Sequence, residues 1–77
     1  MNAKTHIGNI IIQTLKDKDL TIAWLARQVC YEESNFYKKL KNDNISKELL
    51  FCISNVLHVD FFVHYSKELH DLWQSLP

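Results

Sequence analysis

The chain has 77 residues, 47% of them hydrophobic, which is enough for one core and too little for two. One Gly and one Pro are too few for a hairpin-rich sheet, so composition alone favours an all-α fold. Net charge is zero with neutral histidines, which excludes a uniformly basic nucleic-acid binder; such a surface must come from local clustering.

Residues 1–4 are expected to fray. A first helix is predicted over about residues 5–18, with Ile7, Ile10, Ile11, Thr14 and Leu15 on one face. The next three helix starts share a spacing: an apolar residue, a cap, and a second apolar residue five positions after the first. The sets are Leu20-Thr21-Leu25, Tyr31-Glu32-Phe36 and Ile45-Ser46-Leu50. In this staple the residue before the cap packs on the fourth helical residue. It predicts helices from 22 to 29, 33 to 41 and 47 to 57. The inward residues are Leu25, Ala26 and Val29, then Phe36 and Leu40, then Leu49, Leu50, Ile53, Val56 and Leu57. Asp60 is the expected cap of a fifth helix over 61–75, striped by Phe61, Phe62, Tyr65, Leu69, Leu72, Trp73 and Leu76. That stripe reads first as a lid on the core. A chain this small cannot bury all of it, and the surplus at Phe62, Tyr65, Leu69 and Trp73 suggests a two-fold dimer.

Charge is divided along the chain. Residues 1–41 hold seven Lys/Arg and four acids, a balance of +3; residues 42–77 hold two Lys and five acids, a balance of −3. Chance alone can split a short chain this way, but the basic half also contains the two short helices of 21–41. Rotation at 100° per residue from Phe36 and Leu40 turns Ser34, Lys38 and Lys41 outward, flanked by Asn35 and Tyr37. A solvated lysine face is the plain alternative.

Other chemistry finds little support. His58, His64 and His70 are six apart, so no pair shares a helix face as zinc ligands would. No nucleophile–base order stands out, and Gly8 alone makes no phosphate loop. No catalytic residue, metal or cofactor is expected. Cys30 and Cys52 lie in apolar patterns and read as buried free thiols. No membrane span or signal peptide is read, and a cytoplasmic location is expected.

The stretch TIAWLARQVCYEESNFYKKL, followed by ISKELLFCISNVLHVDFF, resembles the Cro-like (XRE-type) helix-turn-helix family of phage and bacterial repressors. The likeness covers about residues 6–65. Leu25-Ala26, Val29, Tyr31 and Phe36 match the family's apolar pattern, and Leu57-His58-Val59-Asp60 its "LxVD" segment. The resemblance implies a five-helix, lambda-repressor-like single domain over 1–77, with the helix-turn-helix over about 21–41 and helix 61–75 as dimerisation element. It implies a transcription regulator that reads double-stranded DNA as a homodimer on an inverted repeat. In that setting Lys38 would reach guanine or a phosphate, Asn35 an adenine edge, Ser34 a phosphate, and Tyr37 a thymine methyl or a phosphate. Lys41 would position the helix, and Glu33 could accept from cytosine N4.

Four departures from the family pattern stand out. Ile22 replaces a polar phosphate ligand, Cys30 a turn glycine, and Lys39 an apolar residue. Glu32-Glu33 replaces a Ser-Arg or Ser-Gln start. The acid pair and the zero net charge favour an alternative: an adaptor of the same fold that binds a protein partner, as an antitoxin component does. Arg27 is a candidate to pair with Glu33.

Overall fold

The computed structural model describes residues 6–75. The expected fraying of 1–4, the helix start at Thr5 and the last stripe residue, Leu76, lie outside them. Five helices follow in chain order: α1 (Ile7–Asp17), α2 (Ile22–Gln28), α3 (Glu33–Lys41), α4 (Lys47–Leu57) and α5 (Val63–Gln74). There is no strand among the described residues, and the protein is all-α.

The three staples set the middle helices where the spacing predicts. Each cap oxygen accepts a backbone N–H that the first helical turn leaves free: Thr21 from Trp24 at 3.0 Å, Glu32 from Asn35 at 3.0 Å, Ser46 from Leu49 at 3.1 Å. The apolar partners follow. Tyr31 and Phe36 meet with ring centroids 5.9 Å apart, and Leu20 and Ile45 pack on the core.

The ends of α1 to α4 are also of one kind. Asp19, Cys30, Asp43 and His58 all take positive φ, between 55° and 61°. The residue after each donates its N–H five residues back, Leu20 to Leu15, Tyr31 to Ala26, Asn44 to Lys39 and Val59 to Ser54. This closes each helix in the manner of a Schellman turn. Glycine usually occupies such a site because a Cβ costs about 1–2 kcal/mol there. Asp and His tolerate it better than most residues; Cys30 has no such excuse.

The only glycine serves packing instead. Helix α3 packs against α1 and α2, and α2 against α4. Gly8, buried in the first turn of α1, faces the Leu40 carbonyl at the end of α3, and a Cβ would overlap that oxygen. The core between these helices holds Ile7, Ile11, Leu15, Leu25, Ala26, Phe36, Leu40, Leu49, Leu50, Ile53 and Leu57, with Phe61 from the turn before α5. Ile10, Val29 and Val56 pack at its edge.

Three expectations are corrected. The fifth helix starts at Val63 rather than Phe61; Asp60 accepts the Phe62 N–H at 3.0 Å and so holds the preceding turn instead of capping the helix. Second, α5 does not form a lid, because none of its side chains is buried. Only Phe61, and partly Phe62, from the stripe join the core. Third, both thiols are free but exposed. Cys30 sits on the surface turn. Cys52 lies about 115° around α4 from the centre of its buried face.

Candidate nucleic-acid interface

Helix α3 is fixed from beneath and open above. Phe36 and Leu40 are buried in the core, while Glu33, Ser34, Asn35, Tyr37, Lys38 and Lys41 are all exposed. All six residues nominated from sequence therefore lie on one accessible helix. The four-residue turn 29–32 holds α2 and α3 together through Cys30 in its left-handed conformation and the Tyr31-to-Ala26 bond of 2.9 Å.

Charge along α3 is graded. Its last turns carry Lys38, Lys39 and Lys41, and its first turn carries Glu33 after Glu32. The Lys41 ammonium lies 5.9 Å from the centre of the Tyr37 ring. Lys39 is half-buried and sets its ammonium 5.9 Å from the centre of the Tyr31 ring. Its alkyl stem covers apolar surface while its charge meets the aromatic face, so a lysine occupies the apolar slot without burying a charge.

At the leading end the Glu32 carboxylate folds over the helix start. The Ser34 hydroxyl donates to it, with 2.7 Å to either oxygen, and the Asn35 N–H donates at 3.0 Å. The hydroxyl and the Asn35 N–H, with lesser help from the Ser34 N–H and the Lys38 charge, hold the Glu32 carboxyl below the ordinary glutamate range against the opposing effect of desolvation. The free N–H groups that would cradle an anion thus already carry one, and Ser34 gives its hydroxyl to Glu32. Among the described residues no ion pair joins Arg27 to Glu33.

Ile22, Glu32, Glu33, Ser34 and Tyr37 line an open depression of about 530 Å³ between the leading ends of α2 and α3. Two of the departures from the family pattern, the apolar Ile22 and the acid pair, thereby meet in one place. An apolar wall beside two carboxylates suits a hydrogen-bond donor better than a phosphate.

The residues nominated for dimerisation are accessible: Phe62 is half-buried, and Tyr65, Leu69 and Trp73 are exposed. Sequence reasoning missed Phe51, the most exposed large apolar side chain among the described residues, at 68%. Its position about 145° from the centre of the buried face of α4 was the available signal. No helix among the described residues is long and apolar enough to cross a membrane, and no group of three metal-ligating side chains gathers among them.

No known protein family, curated protein or solved structure matches the chain.

Proposed function

We propose that the protein is a sequence-specific, non-catalytic DNA-binding regulator of the helix-turn-helix type, acting as a homodimer. The observation that carries this reading is the mounting of α3. Two buried anchors hold it, and its outer face is exposed with Lys38 and Lys41 at one end. A single helix presented this way fits the major groove, about 12 Å wide. Lys38 then contacts a guanine edge or a phosphate, Asn35 an adenine edge, Tyr37 a thymine methyl, and Lys41 the backbone. Glu33 accepts from cytosine N4 in the same groove. With the Ser34 hydroxyl engaged by Glu32, its role is to hold that carboxylate in place. A two-fold dimer would set two such helices about 34 Å apart, one turn of DNA, and the bound protein would control polymerase by obstruction or contact.

A salt titration of duplex binding tests the reading. The logarithm of the affinity should fall with the logarithm of salt at about 0.9 per neutralised phosphate. Selection of bound duplexes from a random pool should return an inverted repeat. Absence of retardation at low salt ends the proposal.

One observation favours a second reading. The Ile22–Glu32–Glu33 depression repels phosphate and suits a cationic or N–H-rich protein segment. In that case the same fold is an adaptor, and a partner protein competes for the α2–α3 face.

A further inference from the structure

Phe51 on α4 is more exposed than any residue nominated for dimerisation. Together with Lys47, Glu48, Cys52 and Phe62 it lines an almost wholly apolar depression of about 520 Å³. Phe62 also opens the α5 stripe, in which Phe62, Tyr65, Leu69 and Leu72 recur at three-four-three spacing. One apolar strip therefore runs from α4 onto α5, with a hollow at the Phe51 end and the Trp73 indole, 55% exposed, at the other.

We infer that a second copy of the chain covers this strip in antiparallel fashion, with the Trp73 region of each copy seated in the Phe51–Cys52–Phe62 hollow of the other. The inference rests on the homodimer part of the proposed function and adds α4 to its interface.

Three observations choose a second copy as the occupant. A 12-residue helix with no buried side chain is marginal in water, so α5 needs a partner along its length. The exposed parts of Phe51, Tyr65, Leu69, Leu72 and Trp73 amount to roughly 500 Å² per protomer, so two copies bury roughly 1,000 Å² from these side chains alone, the scale at which specific interfaces begin. Finally, a strip with a hollow at one end and a protruding ring at the other is complementary to itself under a two-fold axis through its middle, near Tyr65 and Leu69. The rim residues Lys47 and Glu48 are opposite in sign, so the copies meet there without net repulsion.

The two exposed cysteines report on this arrangement without added labels. Cys52 lies in the hollow, and Cys30 lies on the α2–α3 turn. The full chain is alkylated with iodoacetamide across a protein dilution series, and each thiol is followed by mass spectrometry beside sedimentation equilibrium. As dimer forms, Cys52 should react about tenfold more slowly or less, while Cys30 keeps its rate. Trp73→Ala and Phe51→Ser should each restore the fast Cys52 rate and the monomer mass. Both sites are solvent-exposed in the protomer, and circular dichroism verifies that the variants stay folded.

A monomer at every concentration overturns the inference, as does a dimer whose Cys52 stays fast or whose two thiols slow equally. Rapid Cys52–Cys52 disulfide formation would set the hollows face to face and overturn the antiparallel arrangement. A monomer also ends the homodimer part of the proposed function, whereas a dimer whose Cys52 stays fast overturns this inference alone; none of these readouts involves DNA, so duplex binding is tested separately.

Discussion

The Gly8 backbone N–H donates to the Asp43 carboxylate across 2.9 Å, although the two residues are 35 apart in sequence. The start of α1 has no side-chain cap of its own, and its preceding residue, His6, makes no capping bond. Asp43 supplies the missing acceptor and the favourable negative charge from the far end of α3. The contact is possible because Gly8 lets the Leu40 carbonyl pass close to α1. This pair of residues joins the helix that fills the core to the helix that presents the candidate surface.

Gly8→Ala should therefore destabilise the fold by about 3 kcal/mol, since the clash is with backbone that cannot rotate away. Asp43→Asn keeps an acceptor and a residue that tolerates positive φ, and should cost only about 0.5 kcal/mol. Urea denaturation followed by circular dichroism measures both. A neutral Gly8→Ala would mean that α1 and α3 do not approach this closely.

At the α2–α3 turn the prediction has the opposite sign. Cys30→Gly relieves the left-handed strain and should stabilise by about 1 kcal/mol, less the extra freedom given to the unfolded chain. Cys30→Val, branched at Cβ, should destabilise. Finding both substitutions neutral by thermal melting would remove the strained turn from the account.

Glu32 makes a pH prediction. Its folded carboxyl lies below the ordinary value of 4.5, chiefly because the Ser34 hydroxyl and the Asn35 N–H favour the anion. Its contribution to stability is thus present above that value and lost as pH falls through the depressed one. Glu32→Gln should flatten the fall in melting temperature as pH drops below 4.5. An unchanged acid limb would assign that fall to other carboxylates.

The same residue should also tune duplex affinity. Glu32→Ser keeps a capping oxygen while removing a negative charge from the leading end of α3. Affinity for duplex should rise about fivefold to tenfold at low salt, with little change in melting temperature. Unaltered affinity would mean that this end stays away from the phosphates.

Lys38→Ala should weaken specific duplex binding by about 1–3 kcal/mol, while Lys41→Ala should weaken all sequences alike and reduce the salt slope by about one. Neither should move the melting temperature, because both side chains are exposed. Operator affinity that survives Lys38→Ala takes that lysine out of the contact set.

Much of this architecture is legible in the residues taken one helix at a time. The starts of α2, α3 and α4 follow from caps and staples that act within five residues, so no distant part of the chain can override them cheaply. The orientation of α3 is legible for the same reason: with Phe36 and Leu40 inward, helical rotation alone turns Lys38 and Lys41 outward. What escapes such reasoning depends on partners far away in sequence. Hydrophobic periodicity marks the stripe of α5 as apolar but cannot say whether the core has room for it. The space is filled by α1 to α4 and Phe61, so the stripe stays exposed. The apolar patterns around Cys30 and Cys52 likewise suggest burial, whereas a surface turn and an outward helix angle expose them. The Gly8–Asp43 bond and the Leu40 approach have no local signature at all. Short-range stereochemistry writes the helices into the chain; close packing among residues that meet only on folding settles which of their faces water still reaches.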